Sequence, residues 1–157
     1  MKFKTMTRIF GLMLVAGFAT LALSTGVASV SASSRRNRDL HVTKECSAYT
    51  GAAGSFCTIT SSNIPEIRVG SKVFYDQAGG IPTGMLDSNV VLDVGHGDWA
   101  VGRCTLDLTT YFGLCTFSDG TGRLTGFHAR VDVSHLSGKD WAWEGTYSFR
   151  PEPDRDR

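Results

Sequence analysis

The sequence of 157 residues predicts an all-β fold: an antiparallel β-barrel of about eight strands, preceded by a cleaved N-terminal signal peptide. Three observations lead to this prediction. Segments with alternating apolar and polar residues recur along the chain, clusters of Gly, Asp, Asn and Ser separate them, and no stretch after residue 32 has a convincing helical period. Because the predicted strands follow one another at short spacing and without helices between them, they are expected to pair antiparallel. Closure into a barrel removes the exposed edges of an open sheet.

Residues 1–32 have the three parts of a secretory signal peptide. Three basic residues among the first eight precede the almost wholly apolar run Ile9–Leu23, and Val30-Ser31-Ala32 has the small-x-small pattern of a signal-peptidase site. The apolar run is shorter than the ~20 residues of a membrane span, which argues against a transmembrane helix. We therefore expect cleavage after Ala32, a secreted or periplasmic bacterial protein exported by a Sec-type signal, and no stable membrane insertion after cleavage.

Beyond the signal peptide, the sequence predicts one domain. A flexible segment at 33–45, a barrel at 46–150 and a charged tail at 151–157 complete the expected organisation. Cleavage removes three of the 16 basic residues and none of the 15 acidic ones, and the remaining charges of both signs are interspersed. Because no basic patch is present, nucleic acid is not an expected partner.

All four cysteines lie after the signal peptide, and an even count in a small exported protein implies disulfides. Four cysteines allow three pairings, and the equal spacing within each half favours Cys46–Cys57 and Cys104–Cys115. If Ala100–Leu108 and Tyr111–Phe117 form a hairpin about Thr109-Thr110, Cys104 lies directly opposite Cys115. The alternative is a zinc site, but paired C-x-x-C knuckles are missing and the histidines are scattered, so no metal is expected.

Six segments have the pattern of strands. The first is rich in β-branched and aromatic residues, the second is a short apolar run, and the later ones alternate between an apolar and a polar side. In chain order they are Ile67–Asp76, Asn89–Val94, Trp99–Leu108, Tyr111–Phe117, Arg123–Ser134 and Trp141–Phe149.

The last two predicted strands carry the clearest apolar faces. Phe127, Ala129, Val131 and Val133 share one side of the fifth segment, and four aromatic rings share one side of the sixth. This much aromatic surface suits the filling or lining of a lumen. Three glycines precede the fifth segment, where they allow positive φ or a close approach of backbones.

The stretch "FSDGTGRLTGFHARVDV", followed by "WAWEGTYSF", resembles the allene oxide cyclase barrel group, which includes plant allene oxide cyclases, dirigent proteins and small exported bacterial proteins. The recurring turn G-x-G-x-[FL]-x-G of that group is carried here by Gly120, Gly122, Leu124 and Gly126, and its final W-x-G-x-Y-x-F strand by Trp143, Gly145, Tyr147 and Phe149. The resemblance implies an eight-stranded, lipocalin-like antiparallel barrel with a central apolar cavity. No catalytic residue of the plant enzymes matches position by position, so none is assigned.

Three groups of polar residues are candidates for chemistry. His128, Arg130 and Asp132 share one strand face, either as an acid–base row or, as the apolar opposite face favours, as part of the solvated outside. Arg103 and Asp107 would orient a polar ligand group only if their less apolar face pointed inward. The "GHGD" of residues 95–98 has too few ligands for a metal and indicates a tight hairpin turn.

Three functions remain open. In the first, the lumen binds a small apolar molecule; the expected contacts are Phe127, Trp141, Trp143, Tyr147 and Phe149. In the second, a cyclase or isomerase without a covalent intermediate, or a dirigent-like protein, steers a reactive small molecule by shape. In the third, the protein is structural or binds a partner, which a completely filled lumen would favour, whereas a cavity of ~300 Å³ or more would favour the first two. No catalytic constellation is recognised and no cofactor is expected.

Overall fold

A computed structural model of the chain describes residues 37–80 and 83–150; the predicted signal peptide and C-terminal tail lie outside them. In this part eight antiparallel strands, each bonded to the next and the last to the first, form a closed barrel, as the sequence predicts. The strands are β1 (Arg38–Glu45), β2 (Phe56–Ser62), β3 (Lys72–Tyr75), β4 (Met85–Gly95), β5 (Asp98–Asp107), β6 (Phe112–Gly120), β7 (Phe127–Ser137) and β8 (Asp140–Phe149).

The core of the protein is the barrel interior, because period two in each strand turns alternate side chains inward. On β7 the buried residues are Phe127, Ala129, Val131 and Val133, as the alternation predicts. On β4 they include Val90, Leu92 and Val94. The inward-facing set of each strand therefore builds the core.

The first strand corrects the predicted flexible segment at 33–45 over residues 38–45, while residues 33–36 lie outside the described part of the chain. Residues 38–45 form β1, which pairs with β2 on one side and with β8 on the other, so this segment closes the barrel. Leu40 and Val42 point inward and alternate with polar residues. The alternation of apolar and polar residues is hard to recognise in the sequence because the next inward position holds Lys44.

Two further boundaries differ from the prediction. Residues 67–71 precede β3 as a loop, in which Ile67 is nevertheless buried. Gly122–Leu124 forms a 3₁₀ turn, so the predicted strand at Arg123–Ser134 begins only at Phe127. A buried apolar side chain near a strand end thus imitates the strand pattern without belonging to the ladder.

The glycines of the turn before β7 allow positive φ and a close approach of two backbone segments. Gly122 and Gly126 both have positive φ, and a β-carbon at Gly126 would lie 2.0 Å from the carbonyl oxygen of Arg150. The backbone of Arg150 is held against the turn by a 2.7 Å hydrogen bond from Arg150 N to Gly126 O. The turn buries Leu124 completely and is tied to β5 by a 2.8 Å bond from Arg123 Nε to Asp98 Oδ2. It thereby seals the end of the barrel where β7 starts.

The hairpin of β5 and β6 has the predicted register, with Cys104 directly opposite Cys115. Its connection is four residues long rather than two, since β5 ends at Asp107 and β6 begins at Phe112. The Asp107 carboxylate accepts backbone bonds from Thr109 and Thr110, which lower the pKa of that carboxyl. Both predicted disulfides, Cys46–Cys57 and Cys104–Cys115, are formed.

Candidate functional site

One end of the barrel holds a cavity of about 70 Å³. This cavity end is where the odd-numbered strands finish and the even-numbered strands begin. The walls are almost wholly apolar and include both disulfides. The lining residues are Lys44, Cys46, Tyr49, Cys57, Tyr75, Leu86, Cys104, Thr105, Leu106, Leu108, Cys115, Val133 and Trp141. The central apolar cavity expected from the resemblance is therefore confined to one end, and its volume is well below ~300 Å³.

The rest of the lumen is packed with side chains. Ile64, Ile67 and Leu124 are fully buried at the opposite end, which we call the sealed end. Between the two ends lies a series of aromatic contacts, in which the Phe117 ring is 5.4 Å from that of Trp143 and 6.1 Å from that of Phe127. Dense packing there leaves the cavity end as the place where a molecule can enter.

The most unusual residue of the cavity is Lys44, whose side chain is only 2% exposed. Its Nζ donates a 2.6 Å hydrogen bond to the Tyr75 hydroxyl and lies 4.4 Å from the centre of the Trp143 ring. Among the described residues no carboxylate forms an ion pair with this amine. A buried cation is expensive unless it is paired, so this lysine is an exception to the usual arrangement of a core.

The local structure explains why Lys44 points inward. On the β1–β2 ladder Thr43 is opposite Ser61 and Lys44 is opposite Ile59, so Thr60 forms a bulge on β2. The Thr43 hydroxyl contacts the hydroxyls of Thr60 and Ser61 at 2.8 and 2.7 Å on the outer side. The bulge keeps Lys44 and Ile59 both on the inner face, in line with the common use of bulges to aim side chains near sites.

Burial sets the protonation states in the cavity. It lowers the pKa of the Lys44 amine to about 7, because the apolar surroundings disfavour the charged form. Burial also raises the pKa of the Tyr75 phenol, with a smaller contribution from neighbouring Tyr49, and burial raises the pKa of Tyr49 itself. At neutral pH the amine therefore exists in both forms, whereas both phenols keep their protons.

The half-buried rings of Tyr49 and Trp141 lie at the mouth of the cavity. The Tyr49 ring meets the Tyr75 ring edge-on at 5.0 Å, and within the described residues the Tyr49 hydroxyl is a buried group without a hydrogen-bond partner. On the other side Trp141 contacts His135 at 4.9 Å and Tyr111 at 6.0 Å between ring centres. These rings offer flat apolar surface beside the entrance.

Of the five predicted ligand contacts, Trp141 is the one that lines the cavity. Trp143 is fully buried and contacts the Lys44 amine with its ring, while Phe127, Tyr147 and Phe149 pack together towards the sealed end. All five point inward as their shared strand faces require. Position along a strand, which a period-two pattern does not report, decides whether an inward ring lines space or fills it.

The other candidates for chemistry lie on the outside. Arg130 and Asp132 are exposed and His128 is half-buried on the outer face of β7. Arg103 is also exposed, and its Nη2 donates to Asp87 Oδ2 on β4 at 2.7 Å, so it does not enter the lumen. The "GHGD" segment is the tight turn from β4 to β5, in which His96 adopts a positive φ of 62°.

Within residues 37–80 and 83–150, no group of three or more His, Cys, Asp or Glu residues is placed to hold a metal ion. Nor does that part of the chain contain a helix long and apolar enough to cross a membrane. The two disulfides indicate an oxidising, extracytoplasmic location.

Sequence reasoning missed Lys44 and Tyr75. The available signal was the alternation Leu40, Val42, Lys44, Cys46, which places the lysine on the apolar side of a strand leading into a buried cysteine. Comparisons of the chain with models of protein families, with curated proteins and with solved structures found no match.

Proposed function

We propose that this protein is an exported binding barrel that takes a small, mainly apolar molecule, or the end of a longer one, into the cavity beside Lys44. The observation that carries the proposal is an apolar cavity with a single amine–phenol pair on its wall. A methionine could occupy the place of Lys44 without the cost of burying an amine. A polar group retained in such a site, with a perturbed pKa, is typical of a site that recognises a ligand.

The size of the cavity limits the ligand. About 70 Å³ suits a molecule of a few carbon atoms rather than a drug-sized compound. Apolar walls and the rings of Tyr49 and Trp141 supply contact area, while Lys44 and Tyr75 supply one oriented polar interaction. The binding free energy then comes largely from the apolar surface that the ligand buries.

The direct test is to fill the cavity. Wild-type protein is screened by ligand-observed NMR with alcohols, ketones and hydrocarbons of three to six carbon atoms, a range that is roughly the size the cavity admits. In Leu106→Trp the added ring occupies the cavity, so we expect the signals of bound ligand to disappear. Val101→Trp adds the same ring on the exposed face of the same strand and serves as the matched control.

Circular dichroism and thermal unfolding establish that both variants remain folded. The proposal would be refuted if neither the wild type nor Val101→Trp bound any of these compounds. Equal binding by Leu106→Trp and Val101→Trp would place the ligand elsewhere on the protein.

The proposal includes export by a Sec-type signal from a bacterial cell, with cleavage after Ala32. It is supported by the charge, apolar run and small-residue motif of residues 1–32 and by the disulfides of the barrel. Mass spectrometry of the secreted or periplasmic protein should find an N-terminus within a few residues of Ser33. An intact Met1 on protein in the membrane fraction would contradict it.

We also propose kinship with the allene oxide cyclase barrel group, on the basis of the turn Gly120–Gly126 and the final strand pattern. The closed, eight-stranded antiparallel barrel supports this kinship. It assigns no reaction to the chain, since neither Lys44 nor Tyr75 belongs to either motif.

A further inference from the structure

We propose that the side chain of Lys44 is a nucleophilic amine that captures small aldehydes as an imine inside the cavity. The proposal rests on the proposed function, because the aldehyde must first enter the cavity as a ligand. It adds the chemical class of that ligand, which is a short-chain aldehyde, and a covalent step that binding alone does not require.

The geometry places the amine for this role. Lys44 lines the cavity, and its Nζ donates a hydrogen bond of 2.6 Å to the Tyr75 hydroxyl. In the neutral amine the Tyr75 hydroxyl can instead donate to Nζ, or turn its proton towards a ligand oxygen. The amine is thus not engaged by a carboxylate of the described residues, and the phenol next to it is a ready hydrogen-bond donor for a carbonyl.

The protonation state supports the same assignment. An amine attacks a carbonyl only in its neutral form, and a desolvated lysine is a known way to reach that form near neutral pH. With a pKa of about 7, the Lys44 amine is roughly a thousandfold richer in the neutral form at pH 7 than an unperturbed lysine. The titratable groups that face it across the cavity are Tyr75 and Tyr49, and both phenols stay neutral there.

The step is balanced without any further reactant. The Nζ lone pair forms a bond to the carbonyl carbon while the Tyr75 hydroxyl donates a hydrogen bond to the carbonyl oxygen. Transfer of one proton from nitrogen to that oxygen gives the carbinolamine. Loss of its hydroxyl as water, with the remaining nitrogen proton, forms the C=N bond, so that nothing is oxidised or reduced and one water is released.

The walls of the cavity favour an aldehyde over a carboxylate. A carboxylate requires the protonated amine and several donors for its oxygens, yet apart from Lys44 the hydroxyls that line the inner face are those of Tyr49 and Tyr75. Addition of an aldehyde replaces a costly buried amine with a neutral imine and places an alkyl chain against Leu106 and Leu108. The apolar wall therefore stabilises the product of the reaction.

The test uses propanal and brief borohydride reduction of the mature, disulfide-bonded protein. Intact mass and peptide mapping locate the resulting propyl group. We expect modification of Lys44 to exceed that of the exposed Lys139, at the same end of the barrel, by at least about tenfold at pH 7.5. Trapping at Lys44 should level off above about pH 7 to 8, whereas exposed lysines in general continue to gain reactivity towards pH 10.

Three variants and two other ligands separate the possible results. Lys44→Met should lose the fast modification and Lys139→Met should retain it, while Tyr75→Phe should slow it several-fold. Propanol reports on entry into the cavity without reaction, and butyrate reports on an anion site. The wild-type peptide map locates the adduct even if a variant fails to fold.

Each outcome decides the matter. Selective modification of Lys44 with the expected pH profile supports the proposal. Binding of propanol without selective modification of Lys44 overturns it and leaves the proposed function intact. Binding of butyrate in place of propanal overturns it in favour of an anion site, and failure of propanol, propanal and butyrate to bind overturns both.

Discussion

At the scale of single residues, Lys44 is the position where sequence pattern and structure diverge most. A lysine on an apolar strand face normally argues that the face is not buried, because lysine is almost never fully buried without a partner. Here the neighbours on both sides, Val42 and Cys46, are buried and the barrel closes around the amine. Alternation alone could locate the strand, but it could not establish that the amine stays inside.

The burial of Lys44 has a measurable effect on stability. The folded-state pKa of about 7 lies below the unfolded value near 10.5, so the unfolded state binds more protons between these two pH values. The free energy of unfolding should therefore rise with pH from about 7 to 10. Below pH 7 the full cost of burying the charged amine lowers the free energy of unfolding. This cost is roughly 1.4 kcal/mol for each pH unit between the two pKa values.

Lys44→Met should remove this penalty. We expect a higher free energy of unfolding at pH 6, by several kcal/mol at most, and a flatter dependence on pH than in the wild type. Denaturant unfolding at pH 6, 8 and 9.5 measures both effects, and Lys139→Met is the exposed control. An unchanged pH dependence in Lys44→Met would mean that the amine is not buried in solution.

At the scale of elements, the β5–β6 hairpin was predicted well because its two cysteines and its alternation constrain one register. The turn itself was predicted less well. Tyr111 adopts a positive φ of 58°, and its N–H donates to Asp107 O at 2.8 Å, which sets a four-residue connection. A non-glycine residue in this conformation has no strong sequence signal.

Removal of the Cys104–Cys115 disulfide should weaken this hairpin. The double variant Cys104→Ala with Cys115→Ala is expected to lose about 2–3 kcal/mol of unfolding free energy, since the bond closes a short loop and its sulfurs fill space in the cavity wall. The measurement is denaturant unfolding against wild type under oxidising conditions. The Cys46–Cys57 pair offers a matched variant with the same sequence separation of 11. Equal stability of wild type and double variant would show that the bond is dispensable.

Two glycines with positive φ can be compared, Gly126 in the turn before β7 and Gly97 in the turn between β4 and β5. Ala at Gly126 must fit a β-carbon 2.0 Å from the Arg150 carbonyl oxygen, whereas a β-carbon at Gly97 meets nothing within 4 Å. We expect Gly97→Ala to cost about 1 kcal/mol for the backbone conformation and Gly126→Ala to cost roughly 3 kcal/mol or more. Thermal unfolding of both variants measures the difference. Equal losses would mean that the sealed end relaxes around the new methyl group.

At the scale of the whole molecule, the barrel has two ends with different characters. Ile64, Ile67 and Leu124 fill the sealed end, and the cavity end is lined by both disulfides and by Lys44. The sequence predicted the fold class, the disulfides and the inward faces, since all three follow from periodicity and cysteine spacing. Which end is hollow could not be predicted, because a void depends on how side chains from distant strands meet.

Barrel closure also has a consequence for the order of events during folding. The β1–β8 ladder brings together residues as distant as Arg38 and Tyr147, 109 positions apart. Contacts of such long range form slowly, and barrels that depend on them fold in about milliseconds to seconds. Because Lys44 lies on β1, its amine is hydrated in the unfolded chain and becomes buried only when β1 pairs with β8 and closes the barrel. An amine with a pKa of about 7 therefore exists only in the closed barrel.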